Sequence, residues 1–142
     1  MTDEVTLRPA RPEDQPAIRR MVHASHLDPF FLRWQHFIVA EQGGDLVGIG
    51  QIRPYARCPE LGSLVVCEPQ RGRGIGGRIV RALLAEADGP VYLECAERMR
   101  GYYARVGFEE IPWQEAPFPL RFKARLARLM GGRIAVMRWE RP

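Results

Sequence analysis

A chain of 142 residues, 46% hydrophobic and 27% charged, holds enough apolar side chains for a core without disulfides or metal, and too many for long disorder. No apolar run approaches the ~20 residues that a membrane-spanning helix needs, so no membrane partner is expected. The net charge is +4 and Lys123 is the only lysine among 21 basic residues; arginine suits planar contacts to phosphate and carboxylate, so a nucleic acid or a nucleotide cofactor competes with mere codon bias as its explanation.

The start, Met1-Thr2-Asp3-Glu4, is acidic and lacks an apolar stretch, which predicts no secretory signal and a cytoplasmic protein. Val5-Thr6-Leu7 reads as a first strand. Pro12, followed by Glu13 and Asp14, opens a helix whose apolar face is Ile18, Met21 and Val22. Residues 37–40 and 46–52 read as two strands joined by Gln42-Gly43-Gly44-Asp45, a hairpin signal. Residues 60–66 form the next strand. A glycine cluster follows it, then a helix with the stripe Ile75, Ile79, Val80, Leu83, Leu84 and Ala87, stopped by Asp88-Gly89-Pro90. Residues 91–95 return as a strand after this helical crossover, so they should run parallel to the strand before the glycines. Met99, Tyr102, Tyr103 and Val106 share one face of a short helix that Gly107 caps. Residues 108–111 and 134–139 are the last two strands, and the arginine-rich segment 118–132 between them is helical in part.

The expected class is therefore α/β with a mixed sheet: antiparallel N-terminal strands, then one parallel pair, with flanking helices. No repeat, low-complexity tract or linker divides the chain, which predicts a single domain over residues 1–142. Cys58, Cys67 and Cys95 are odd in number and form no C-x-x-C pair, so they read as reduced thiols.

The chemistry concentrates in Gln70-Arg71-Gly72-Arg73-Gly74-Ile75-Gly76-Gly77, between a strand and a helix. Absent side chains let successive backbone N–H groups converge, and the helix N-terminus adds positive partial charge, a combination that binds phosphate. The plainer alternative is a tight turn that needs glycine only for its dihedral angles. The run lacks the Gly-Lys-Ser/Thr ending of a nucleotide-hydrolysing P-loop. Gly72, Gly74 and Gly77 satisfy G-x-G-x-x-G, with Glu94 downstream as a ribose-binding acid, but residues 67–71 separate them from the strand and a hairpin precedes it. Both features argue against a dinucleotide fold.

Residues 64–76 resemble the acyl-CoA-binding motif of the GNAT superfamily of N-acyltransferases, whose core [Gln/Arg]-x-x-Gly-x-[Gly/Ala] falls on Arg71, Gly74 and Gly76. Tyr102-Tyr103-Ala104-Arg105-Val106-Gly107-Phe108 is similar to a second family element, at the expected separation. The resemblance covers residues 60–111 well, the N-terminal half by element order, and the last thirty residues weakly. It implies a GNAT-like sheet whose central parallel pair splays around the cofactor, acetyl-CoA. The backbone of Leu64, Val65 and Val66 would hold the pantetheine, and Arg71, Gly72, Arg73, Gly74, Ile75 and Gly76 the diphosphate. A backbone N–H near Val66 would face the thioester oxygen; such a preorganised donor is worth about 3 kcal/mol as that oxygen gains charge.

The resemblance also implies direct attack by an amine, with CoA leaving as a thiolate. Tyr103 occupies the position of the family's general acid; alternatively it is a core-facing tyrosine beside Met99, Tyr102 and Val106. Glu60, at the start of the motif strand, is the first candidate base and Glu94 the second, although either could be a solvated strand-end carboxylate. Where many members carry Asn the chain has Ala96, so that cofactor contact is absent or taken over by Arg98 or Arg100.

Other signals carry less. His23 and His26 with Asp28 lack further ligands at metal spacing, so no metal is expected. Cys95 invites a covalent acyl-enzyme, but no histidine follows it to activate the thiol. Arg121, Arg125 and Arg128 line one face of the late helix opposite Leu126, Leu129 and Met130, either as a solvated face over an apolar one or as a lid attracting an acidic substrate. The expected acceptor is a small-molecule or peptide amine, and a homodimer is left open. A non-catalytic CoA-binding sensor is the alternative within this fold. A basic nucleic-acid-binding protein is the alternative from another class, without a nucleic-acid motif to support it.

Overall fold

The computed structural model describes residues 4–142; Met1-Thr2-Asp3, on which the absence of a secretory signal was read, lie outside the described residues. The chain order is β1 (Val5–Pro9), α1 (Gln15–Ala24), β2 (Phe37–Gln42), β3 (Asp45–Arg53), β4 (Glu60–Val66), α2 (Ile75–Ala85), β5 (Val91–Ala96), α3 (Arg100–Ala104), β6 (Glu109–Ile111), α4 (Leu120–Leu129) and β7 (Ile134–Trp139). The seven strands belong to a mixed sheet, as the element pattern predicted. The chain packs as two compact units, one made by residues up to Arg53 with Ser63–Glu86, the other by Pro54–Gly62 with Ala87–Pro142.

In the first unit the strands run in the order β1-β2-β3-β4. β1 pairs antiparallel with β2 from Val5↔Gln42 to Pro9↔Ile38. β2 and β3 form the expected hairpin, from Phe37↔Gln51 to Gln42↔Asp45, with a bulge at Ala40/Glu41. Ile18 and Val22 of α1 bury against Phe37, Val39, Ile49 and Val65, while α2 buries Ile75, Ile79, Val80, Leu83 and Leu84. The approach of α2 to β3 depends on Gly50: a Cβ there would lie 2.8 Å from Ile79 Cγ2, so the helix or the Ile79 side chain would have to shift. Two helix limits differ from expectation. Pro12–Asp14 is a 3₁₀ turn, and the α-helix starts at Gln15 because Pro16, lacking an N–H, must sit in the first turn. α2 ends at Ala85, so Ala87 falls beyond the stripe assigned to it.

In the second unit the order is β4-β5-β7-β6. β5 pairs antiparallel with β7 from Val91↔Trp139 to Ala96↔Ile134, and β6 pairs with β7 from Glu109↔Arg138 to Ile111↔Val136. The expected parallel pair is present: Glu60 of β4 aligns with Tyr92 of β5, whose N–H donates to the Pro59 carbonyl at 2.8 Å. Among the described residues the β4–β5 ladder is limited to that pair. The core here is Cys58, Ala116, Leu120, Ala124 and Val136, bordered by Tyr55, Tyr92 and Trp113.

α4 corrects the sequence reading. Its apolar side was placed at Leu126, Leu129 and Met130, yet these are 45%, 73% and 86% exposed, while Leu120 and Ala124 are buried. At 100° per residue the buried arc falls between the arginine row and the leucine row, and contact with Cys58, Ala116 and Val136 selects it.

Candidate functional site

The glycine turn belongs to the first unit. After β4, Cys67 N–H donates to the Val47 carbonyl at 2.8 Å, and a 3₁₀ turn at Glu68–Gln70 redirects the chain. Gln70 Nε2 donates to Gln42 Oε1 at 3.0 Å, tying the turn to the end of β2. Arg71 folds back so that its Nε donates to the Val66 carbonyl at 2.9 Å, and its Nη groups have no partner among the described residues. Gly72 and Gly74 have φ of 83° and 79°, a region that other L-residues enter only at a cost of about 1–2 kcal/mol, and a Cβ at either would meet nothing within 4 Å. Gly74 is the N-cap of α2 and offers no side-chain cap; the first helical bond is Arg78 N–H to the Gly74 carbonyl, at 3.1 Å. The N–H groups of residues 72–77 therefore have no acceptor among the described residues. Gly72, Arg73 and Gly74 are exposed, Ile75 and Gly76 buried. A row of open donors at an exposed turn and helix N-terminus suits an anion such as a diphosphate.

Along β4, Leu64 and Val66 are half-buried and Val65 lies in the core, the alternation of an extended strand. Ser63 has φ of 52°, and its Oγ accepts from Gln51 Nε2 at 3.0 Å and from Arg53 Nη2 at 3.2 Å. Gln51 Nε2 also donates to the Phe31 carbonyl at 2.9 Å, and the Asp28 carboxylate lies 3.9 Å from Arg53. Gln51, Arg53 and Ser63 are all buried, and Gln51 Oε1 has no partner among the described residues. Sequence reasoning missed this group. The signal was available: alternation along β3 puts Gln51 and Arg53 on the face of Val47 and Ile49, where polar residues are uncommon.

In the second unit Glu60 is no solvated strand end. It is 3% exposed, and both carboxylate oxygens accept from Lys123 Nζ, at 3.0 and 3.3 Å. Lys123 comes from α4, and its Nζ lies 5.9 Å from the centre of the Tyr55 ring. Tyr103 on α3 is half-buried, edge-on to Tyr102 at 5.1 Å and to Phe108 at 6.0 Å. Burial, reinforced by Cys95 and Tyr102, holds its phenol well above the usual tyrosine value, so it stays a proton donor at neutral pH. Burial likewise pushes the Cys95 thiol up to about 11, which makes it a poor nucleophile. Glu94 is half-buried in β5 opposite Val136. Beyond Ala96, a cavity of about 440 Å³ is lined by Ala96, Glu97, Arg98, Arg100 and Arg133. Arg100 is engaged there by the Glu97 carbonyl and by Glu110, each at 3.2 Å, whereas Arg98 has no partner among the described residues.

This arrangement has known counterparts. The model of the acetyltransferase (GNAT) family matches residues 6–108, and the chain belongs to that family. It is 37% identical over 76 residues to glucosamine 6-phosphate N-acetyltransferase 1 of Oryza sativa subsp. japonica, covering 51% of this chain and 46% of the relative. It is also 37% identical over 84 residues to N-alpha-acetyltransferase RimI of Mycobacterium tuberculosis, covering 54% and 53%. The chain thus spans about half the length of the curated relatives it matches. Among solved structures it resembles N-acetylglutamate synthase from Neisseria gonorrhoeae complexed with coenzyme A and N-acetyl-glutamate, at 19% identity and TM-score 0.80, over 99% of this chain and 36% of that one. It also resembles Rv2747 from Mycobacterium tuberculosis in complex with CoA and NLQ, at 23% identity and TM-score 0.75, over 96% and 99%. At these identities the two structures speak for the fold.

Proposed function

We propose that the chain transfers an acetyl group from acetyl-CoA to a primary amine by direct attack, with residues 1–142 acting as one catalytic domain. The observation that carries this reading is the row of open N–H groups at residues 72–77, the donors that a diphosphate would take up. Arg71, Gly72, Arg73, Gly74, Ile75 and Gly76 hold the diphosphate, and the backbone of Leu64, Val65 and Val66 holds the pantetheine as an added strand. Bound CoA supplies an activated acyl thioester; every other contribution comes from the chain. Glu60 accepts the proton that an ammonium must lose before its nitrogen can attack. A backbone N–H of β4 stabilises the oxygen that gains charge. Tyr103 donates a proton to the departing sulfur, a role supported by its upward-shifted phenol. The acceptor is an amine on a small molecule or peptide; the two curated relatives are named for different amines, a sugar phosphate and an N-alpha amine.

The test is calorimetric titration with acetyl-CoA, followed by thiol release across a panel of sugar, amino-acid and peptide amines. Heat on titration and amine-dependent thiol are expected. Absence of heat overturns the reading, and binding without thiol release from any amine points to a CoA sensor.

A further inference from the structure

A carboxylate that deprotonates an acceptor must hold the incoming ammonium within about 2.6–3.2 Å. At Glu60 that place is already filled by a primary ammonium of the chain itself, Lys123 Nζ, at 3.0 Å. We propose that Lys123 is an internal acceptor: the protein acetylates its only lysine in cis, and Glu60–Lys123 is the docked pair from which that transfer starts. The inference rests on the reading of Glu60 as the base of an acetyl-CoA-dependent transferase.

The choice of residue type supports it. Of 21 basic residues, 20 are arginine, and arginine makes the better structural partner for a carboxylate, since its planar fork bonds both oxygens. Only a lysine supplies a nitrogen with a lone pair to release, and the single lysine of the chain sits on the buried carboxylate. Stability does not demand the pair either, because apolar residues of similar volume commonly replace buried ion pairs without loss. The carboxylate side chain is 4% exposed while that of Lys123 is 32% exposed, so the base is enclosed and the amine keeps a way out. Holding the amine on its base within one chain replaces a bimolecular encounter by an internal one.

The step balances as follows. Glu60 takes one proton from the Lys123 ammonium, and the freed lone pair forms the N–C bond to the acyl carbon. The C–S bond breaks with its electron pair going to sulfur. Of the two protons the nitrogen gives up, one ends on the CoA thiol and one is released to solvent. The acetylated side chain carries no charge, so its ion pair with Glu60 is lost.

The experiment is intact-mass and peptide-mapping analysis of the pure, folded chain incubated with acetyl-CoA and no added amine. One acetyl group should appear on Lys123, at a rate independent of protein concentration and about tenfold or more faster than in the urea-unfolded chain. Lys123→Arg should abolish it, and Glu60→Gln should slow it to the unfolded-chain rate with circular dichroism confirming the fold. If external amines are acetylated while Lys123 stays unmodified, the inference falls and the transferase reading stands. If acetyl-CoA neither binds nor donates to any amine, both fall together. Labelling of Lys123 at the same rate in folded and unfolded chain also overturns the proposal, since the pair then adds nothing.

Discussion

Replacing Gly74 by valine isolates the work of the glycine turn. Gly74 has φ of 79°, and a β-branched residue is a genuine outlier in that region. No atom lies within 4 Å of a Cβ there, so the substitution acts through the backbone alone. Retaining the native angle costs about 1–2 kcal/mol or more, against a total stability of about 5–15 kcal/mol, so the chain stays folded and relieves the strain by rotating the turn. For a chain of this size the melting temperature should fall by about 3 °C per kcal/mol, or about 3–6 °C. Rotation turns N–H groups away from the diphosphate, and each lost bond to a charged group is worth about 1.5–3 kcal/mol, a tenfold or greater loss of CoA affinity. Gly44→Val is the matched control: its φ is 87°, it too has nothing within 4 Å, and it sits in the β2–β3 hairpin. Calorimetry and thermal melts on both variants should show similar destabilisation, with CoA affinity lost only in Gly74→Val. Unchanged affinity in both would refute the diphosphate cradle, and equal loss in both would show that affinity merely tracks stability.

Tyr103→Phe should lower kcat about tenfold or more while leaving CoA affinity nearly intact. Because burial raises the phenol, the donor stays protonated past the ordinary tyrosine value, and the tyrosine-dependent fall in rate lies on the alkaline side of 10.0; a fall below it, absent in the Phe variant, would contradict the assignment. Asp14, 7% exposed, accepts from Arg8 at 2.7 and 3.1 Å and from the Arg11 N–H at 2.7 Å, so Asp14→Asn should cost about 1–3 kcal/mol at neutral pH in urea melts. The Arg8 bond holds this carboxyl below its ordinary 3.8, so its contribution is fully present above that value and is lost as pH falls through the lower folded-state value; a gap between wild type and variant that persists into strong acid would refute it. Cys95, raised from 9.0 to about 11, should carry about a hundredfold less thiolate than a free thiol and alkylate correspondingly slowly in mass-resolved labelling, whereas labelling at the free-thiol rate would reopen a covalent route.

The elements were legible because each has a local cause. The hairpin follows from Gly43-Gly44 between two apolar strands, α2 from its 3.6-residue stripe, and the parallel return of β5 from the helical crossover. Helix limits were less so, since the start of α1 turns on Pro16 and the packing side of α4 on neighbours distant in sequence, Cys58 and Val136. The glycine turn was legible for the opposite reason from the core. Its residues answer to backbone angles and a row of unused donors, both of which glycine reports directly.

Polar side chains inside the sheet were the illegible part. Alternation along β3 hints at Gln51 and Arg53, but Glu60 and Ser63 look in sequence like ordinary strand residues, and the fold shows all four buried. Burying such groups costs several kcal/mol unless partners are supplied, and those partners come from afar: Gln51 and Arg53 meet Ser63 across 12 and 10 residues, and Lys123 reaches Glu60 across 63. Separations of that order carry no periodic signature, so composition and spacing cannot announce the pairs. What composition does announce is an oddity, one lysine in an arginine-rich chain, whose meaning appears only when its nitrogen is found on a buried carboxylate. Where a sequence breaks its own habit at a position whose side chain then meets a buried charge, packing alone does not account for the choice, and a chemical use for the side chain becomes the stronger explanation.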